Sequence, residues 1–99
     1  MCEFKIIRRN DDSQIADEIL VLSYNEKNEL LFRDILGGGE KSESALILDV
    51  NTMNQTTVIL EHPIIKDFIG LMRDLKEKKA IKSQIENLQN KLEELKAHL

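Results

Sequence analysis

The chain has 99 residues, of which 41% are hydrophobic and 32% are charged, and its formal net charge is −4. This length fits one domain with a modest core and at most an appendage, and the single cysteine excludes an intrachain disulfide framework. A reducing compartment suits such a chain, so we expect a cytoplasmic protein. Charged residues interrupt the start of the sequence, and no apolar run reaches the roughly 20 residues that span a bilayer. We therefore expect neither a secretory signal nor contact with a membrane.

The charge is distributed unevenly along the chain. Residues 1–62 contain six Lys or Arg and twelve Asp or Glu, whereas residues 63–99 contain eight and six. The first part therefore carries a net charge of −6 and the second part +2. An acidic domain attracts cations and repels phosphate backbones, which makes nucleic-acid binding by residues 1–62 an unfavoured function.

Before the single proline, Pro63, short apolar runs alternate with turn residues. They predict five strands at 2–9, 16–24, 29–36, 45–50 and 56–61. The intervening segments NDDSQ (10–14), NEKN (25–28) and GGGEKSES (37–44) are predicted loops. Five strands at this spacing favour a small antiparallel barrel, of SH3-like or split-barrel form, because closure removes exposed edges. Residues 1–62 are thus predicted to form a β-barrel domain.

From Pro63 onward the apolar period changes to that of a helix, and proline suits the first helical turn. The sequence predicts one long helix over residues 63–99, serving in packing or oligomerisation. Its second half has apolar residues spaced by four and three, which is a coiled-coil seam: Ile81, Ile85, Leu88, Leu92, Leu95 and Leu99. The spacing from Leu75 to Ile81 is six, so the seam shifts across KEKKA (76–80).

The positions that flank this seam contain no acidic residue. In a parallel pair of helices, Lys91 would face Lys96 of the second copy, which is mildly repulsive. An antiparallel pair, a hairpin packed on the barrel and an acidic helix from another protein all remain open. A protein whose coiled coil is its working part is therefore one functional alternative.

Cys2 is the residue with the most distinctive position, directly after the initiator methionine. One interpretation is a small buried hydrophobic residue at the start of a strand. In the other, the thiolate and a terminal or backbone nitrogen chelate one metal ion. Nitrogen and thiolate donors suit a square-planar ion such as Ni(II) or Cu(II). Two chains that meet at a twofold axis would supply two sulfurs and two nitrogens, which completes the square.

The remaining candidates are weaker. His62, next to Glu61, is interpreted as a polar junction residue, with an auxiliary metal ligand as the alternative. The GGGEKS segment (37–42) lacks the glycine and the following helix of a phosphate-binding loop. The acid pairs at 11–12 and 17–18 are interpreted as solvated, and Phe4, Tyr24 and Phe32 as core residues. No catalytic set is recognisable, so we expect a protein that is not an enzyme.

Three stretches of the sequence carry a family resemblance: the Met-Cys-Glu-Phe-Lys start, the segment LLFRDILG and the segment ALILDVNTMNQTTVILE. Over about residues 1–62 the chain resembles the CooT-type nickel-binding proteins, some of which are labelled predicted RNA-binding proteins. The resemblance implies a small dimeric β-barrel that binds Ni(II) through Cys2. It also implies a link with the maturation of a nickel enzyme such as carbon monoxide dehydrogenase.

Together, the residues and the resemblance predict a cytoplasmic homodimeric nickel carrier or metallochaperone, with Cys2 as metal ligand. An RNA-binding small barrel is the alternative function. The long helical tail departs from the short members of the family.

Overall fold

A computed structural model describes residues 3–99 of the chain, which form six strands and two helices. A mainly β part followed by a helical part is confirmed. The elements in chain order are β1 (Phe4–Arg8), β2 (Ser13–Tyr24), β3 (Leu30–Asp34), β4 (Gly39–Ser42), β5 (Ala45–Asn51), β6 (Thr56–Glu61), α1 (Pro63–Lys76) and α2 (Lys82–Ala97). Within the described residues, neither helix is long and apolar enough to span a bilayer.

The strands form one mixed sheet in the order β4-β3-β2-β1-β6-β5. Neighbouring strands are antiparallel except β1 and β6, which run parallel, with Lys5 opposite Thr56. The predicted five-stranded antiparallel barrel is therefore wrong in strand number, strand direction and closure. Within residues 3–99, no ladder joins β4 to β5, so these strands are the edges. The Tyr24 hydroxyl donates to the Ala45 carbonyl oxygen at 2.7 Å, which shows that the sheet curls toward the β5 edge.

Strand β4 occupies the middle of the segment predicted as a flexible loop. It pairs with β3, and Gly39 lies opposite Arg33. A Cβ atom at Gly39 would lie 1.9 Å from the Phe32 carbonyl oxygen, so the close approach of the two strands requires glycine there. Gly37, with φ of 80°, makes the preceding turn. Glycines that usually indicate a loop here permit a tight strand pair.

The core lies on the inner side of the curled sheet. It contains six buried residues: Ile6, Ile19, Leu30, Phe32, Ala45 and Ile59. Irregular register in the ladders decides which side chains join it. Strands β2 and β3 shift register between Ile19 and Val21. As a result Val21 is 46% exposed, whereas Leu22 packs against the core with Ile19.

Helix α1 begins where the proline predicts. His62 is the N-cap residue, and its Nδ1 accepts a hydrogen bond from the Ile64 N–H at 3.2 Å. The Ser44 hydroxyl oxygen also accepts from the Lys66 N–H at 2.9 Å, which ties the first turn of α1 to the segment before β5. These contacts fix the direction in which the helical part leaves the sheet.

The single long helix predicted for residues 63–99 is wrong, because the chain turns after Lys76. Lys78 has φ of 60°, its N–H donates to the Leu75 carbonyl, and the Lys79 N–H donates to the Asp74 carbonyl. This is a Schellman motif, which usually has glycine at the left-handed position. Because lysine occupies that position instead of glycine, the sequence gives no signal that α1 ends there. The chain then folds back as a helical hairpin, in which Gln84 donates to Asp74 at 2.8 Å.

The predicted seam of α2 is divided between two environments. Its inner residues, Leu88 and Leu95, are half-buried on the side of α2 that also carries Gln84 and Lys91, which bond to α1. Ile85 and Leu92 are 45% and 48% exposed. Intramolecular packing therefore uses only half of the seam.

Candidate functional site

The predicted metal ligand Cys2 lies outside the described residues, and strand β1 begins two positions after it. The Lys5 N–H donates to the Gln55 carbonyl oxygen at 2.9 Å. Phe4 pairs with Ile19 of β2, and Lys5 pairs with Thr56 of β6. The start of β1 is therefore held on both sides by neighbouring strands, two residues after Cys2.

An open apolar cleft of about 300 Å³ adjoins the start of β1. Phe4 and Ile19 contribute to its lining, together with Ile47 and Val50 of β5. Val50 reaches the cleft because β5 has an irregular register between Ile47 and Asp49. Among the residues that the structure describes, the lining of this cleft has no charged side chain, and the Thr57 hydroxyl is its only group that could ligate a metal.

His62 is placed at the other end of β6 from the start of β1. Thr56 is paired with Lys5, whereas Glu61, adjacent to His62, exchanges two hydrogen bonds with Asn10 beyond the end of β1. Six residues of extended strand separate Thr56 from His62, which corresponds to about 20 Å. His62 also uses Nδ1 to cap α1. His62 is therefore distant from the start of β1 in the described part of the chain.

A polar cluster at the His62 end of the sheet was missed by sequence reasoning. Arg8 bonds to Glu61 at 3.2 Å and to Asp11 at 2.8 Å. The Ser42 hydroxyl donates to the second carboxylate oxygen of Glu61. The hydrogen bond from Arg8 lowers the pKa of Asp11 well below its usual range, and the same contact raises the pKa of Arg8. Only the spacing of Arg8 and Asp11 is a sequence signal. Arg8 meets Glu61 because β1 pairs with β6, whereas Ser42 of β4 reaches Glu61 from a strand that is not paired with β6.

A second ion pair lies nearby, between Glu29 and Lys41. Glu29 is only 6% exposed, and its carboxylate accepts hydrogen bonds from Asn25 at 2.9 Å and Lys41 at 3.0 Å. Those hydrogen bonds, first from Asn25 and then from Lys41, lower the pKa of Glu29. Glu29 in turn raises the pKa of Lys41. Both charged forms are thus favoured near neutral pH, which is typical of a structural pair.

A groove of about 550 Å³ lies near this cluster, and Ser42, Ser44, Glu61 and His62 contribute to its lining. Ser42 donates to Glu61, and the Ser44 hydroxyl donates to the His62 carbonyl rather than to its imidazole. Among residues 3–99, no hydrogen bond joins a serine hydroxyl to a histidine ring nitrogen. The groove therefore presents charge and hydrogen-bonding groups without an activated nucleophile in the described contacts.

The aromatic residues and paired acids have mostly structural positions. Phe32 is 1% exposed, as predicted for a core residue, and Tyr24 packs against the core while its hydroxyl bonds to β5. Burial raises the pKa of this hydroxyl. Asp11 and Asp12 are 51% and 69% exposed, as predicted for solvated acids, and at the surface they pair with Arg8 and Arg9.

The described part of the chain brings no three His, Cys, Asp or Glu residues together in a metal-binding group. Compared with protein-family models and with curated proteins, the chain has no significant match.

Proposed function

We propose that this protein binds Ni(II) through Cys2 in a homodimer and acts as a nickel carrier or metallochaperone. The observation that carries the proposal is the Met-Cys start, which places a thiol beside the chain's first nitrogen atoms. The hydrogen-bonded start of β1, only two residues later, supports it. That strand is held by neighbours on both sides, so a fixed part of the fold follows the proposed ligand closely in the sequence.

Stoichiometry supports the dimer in this proposal. One Cys2 thiolate and one nitrogen fill half of a square plane, so a second chain is needed for four protein donors. The net charge of −6 over residues 1–62 favours the approach of a cation, without selecting nickel over copper or zinc. The metal is cargo in this scheme, to be passed to a nickel enzyme such as carbon monoxide dehydrogenase, the client class that the family resemblance implies.

Titration of the purified full chain with Ni(II) tests the proposal. We expect a thiolate-to-nickel absorption band and, by native mass spectrometry, one Ni(II) for each pair of chains. Cys2→Ser is expected to abolish the band. His62→Gln is the matched control, because its site is far along β6, and it should keep the band at unchanged intensity. Equal nickel affinity in Cys2→Ser and the unaltered chain would refute the proposal.

A further inference from the structure

An apolar groove, here called the hairpin groove, runs over the outer side of α1. Its floor consists of Ile64, Ile65, Phe68 and Ile69 of α1. Leu88 and Leu92 of α2 form one wall, and Leu46 of the edge strand β5 contributes to the other. The groove has a volume of about 380 Å³, and every residue that lines it is apolar. It is separate from the start of β1 and from the polar cluster around Glu61.

The apolar surface continues from the groove along both helices. Phe68, Met72 and Leu75 are spaced by four and three residues and are 51%, 44% and 48% exposed. Residues at this spacing lie on one face of a helix, so they form a stripe. Ile85 and Leu92, seven residues apart, form a parallel stripe on α2. Because Phe68 and Leu92 border the same groove, the two stripes make one surface. Contiguous exposed apolar surface of this kind indicates an interaction site.

The charged residues beside this surface are basic. Lys82 precedes Ile85 by three positions and Lys96 follows Leu92 by four. Residues at these spacings are neighbours on a helix surface, so each lysine lies beside a residue of the α2 stripe. Lys76 has the same relation to Met72 on α1. None of the ion pairs formed within residues 3–99 uses these three lysines.

The acidic residues of the two helices lie farther from the exposed stripes or form contacts between α1 and α2. Asp67 is bound to Lys91, and Asp74 accepts from Gln84, so both acids serve the contact between α1 and α2. Glu86 and Glu93 each follow an exposed stripe residue by one position, which places them about 100° farther around α2. Lys76, Lys82 and Lys96 therefore lie closer to the exposed stripes than Glu86 and Glu93 do.

We infer that the hairpin groove binds an amphipathic helix of another protein, whose apolar stripe is flanked by Asp and Glu residues. Apolar residues spaced by three and four would enter the groove, which is a common mode of helix recognition. Acidic flanks would meet Lys76, Lys82 and Lys96. A second copy of this chain fits the same face less well, because it would bring its own lysine rows against these lysines. The inference does not depend on nickel binding.

The test uses two designed peptides of about 18 residues, each a helix with leucines spaced by three and four residues. One peptide carries Glu beside the leucines, and the other carries Lys at the same positions. Binding to the full-length Cys2→Ser chain is measured by fluorescence anisotropy at low and physiological salt. In this background a failure of nickel binding cannot affect the result.

We expect the Glu peptide to bind at least about eightfold more tightly than the Lys peptide at low salt, because each of three exposed charge pairs contributes roughly twofold and the Lys peptide is repelled in addition. Phe68→Ser and Leu92→Ser should each weaken binding of the Glu peptide about tenfold. Both residues are half exposed, so circular dichroism should show an unchanged fold. The double change Lys82→Glu with Lys96→Glu should reverse the preference between peptides, whereas Lys27→Glu, in the turn between β2 and β3, should not.

Three results would overturn the inference. The first is equal affinity for the Glu and Lys peptides, and the second is affinity that Phe68→Ser and Leu92→Ser leave intact. The third is a chain that self-associates in sedimentation experiments and becomes monomeric with Phe68→Ser or Leu92→Ser, since a second copy would then occupy the groove.

Discussion

Lys91 of α2 lies 2.6 Å from Asp67 of α1, and this ion pair fixes how the two helices align. The sequence places Lys91 beside the apolar seam and leaves open whether the seam pairs two chains or packs within one. The fold uses the charge of Lys91 within one chain, opposite a residue of the preceding helix. Together with the bond between Gln84 and Asp74, it sets the antiparallel register that leaves the hairpin groove open.

The coupling between Asp67 and Lys91 is measurable by a double-mutant cycle with Asp67→Asn and Lys91→Met. Both side chains are partly exposed, at 26% and 39%, so we expect a coupling free energy of only about 0.5 kcal/mol. Urea denaturation of the four proteins gives this value. As a control, the same cycle with Lys96 in place of Lys91 should give a coupling near zero, and equal couplings would contradict the described register.

The turn between α1 and α2 gives a second prediction. Lys78 adopts φ of 60°, which costs a non-glycine residue free energy, so Lys78→Gly should stabilise the chain by about 0.5–1 kcal/mol. The midpoint of chemical denaturation measures the change. Lys79→Gly, one position later, should be neutral or destabilising. Destabilisation by Lys78→Gly would instead indicate a continuous helix across residues 63–99.

The close pairing of β3 and β4 gives a third prediction. Gly39→Ala places a methyl group against the Phe32 carbonyl, and we expect it to lower the free energy of unfolding by about 1–3 kcal/mol. At Gly38 an added Cβ lies 3.6 Å from the Asp34 carboxylate, an ordinary contact. Gly38→Ala is therefore the matched control and should be nearly neutral in thermal denaturation. Similar effects at both positions would contradict the described ladder.

The Glu29–Lys41 pair predicts a pH dependence. Since the pKa of Glu29 is lowered by folding, its carboxylate contributes stability above its ordinary value, near 4.5, and loses that contribution as pH falls through the lowered pKa. Glu29→Gln should reduce Tm by a few degrees at neutral pH and weaken the decline of Tm in acid. Glu26→Gln, in the same turn, should leave Tm and its acid dependence close to those of the unaltered chain.

The opposite limb of that profile follows from Lys41. Because Glu29 raises the pKa of Lys41, the ammonium form contributes stability below its ordinary value of 10.5 and loses it as pH rises through the raised value. A profile in which Glu29→Gln changes stability only above neutral pH, and not at neutral pH, would contradict the pairing.

Sequence reasoning predicted the elements whose ends have local chemical signals. The strands at 45–50 and 56–61 correspond to β5 and β6, and Pro63 begins α1. It failed where local signals conflict with tertiary structure. Gly37–Gly39 indicated a loop, but Gly39 is needed because β4 approaches Phe32 closely. Lys78 carries no sign of a helix end, since lysine is a good helix former that here adopts a left-handed conformation.

The candidate functional residues also differ in whether a local sequence signal identifies them. Cys2 was recognisable from its position and residue type, and it lies outside the described residues. The contacts of Glu61 with Arg8 and Ser42 join residues far apart in sequence, through the pairing of β1 with β6 and the curl of the sheet, and a single sequence does not encode such contacts locally. The spacing of apolar residues predicted the α2 seam. Which seam residues pack toward α1 and which face solvent could be determined only from the helical hairpin in the structure.

The parallel pairing of β1 with β6 has a consequence for the nascent polypeptide. β1 leaves the ribosome early, and its hairpin partner β2 follows at once, but its other neighbour is the last strand to be synthesised. Until Thr56–Glu61 emerge, one side of β1 has unpaired amide groups. Sheet completion then closes a long chain loop, so its rate is governed by topology more than by local turns. If translation pauses before residue 56, one edge of β1 stays exposed and can pair with another chain, although β1 lies inside the completed sheet.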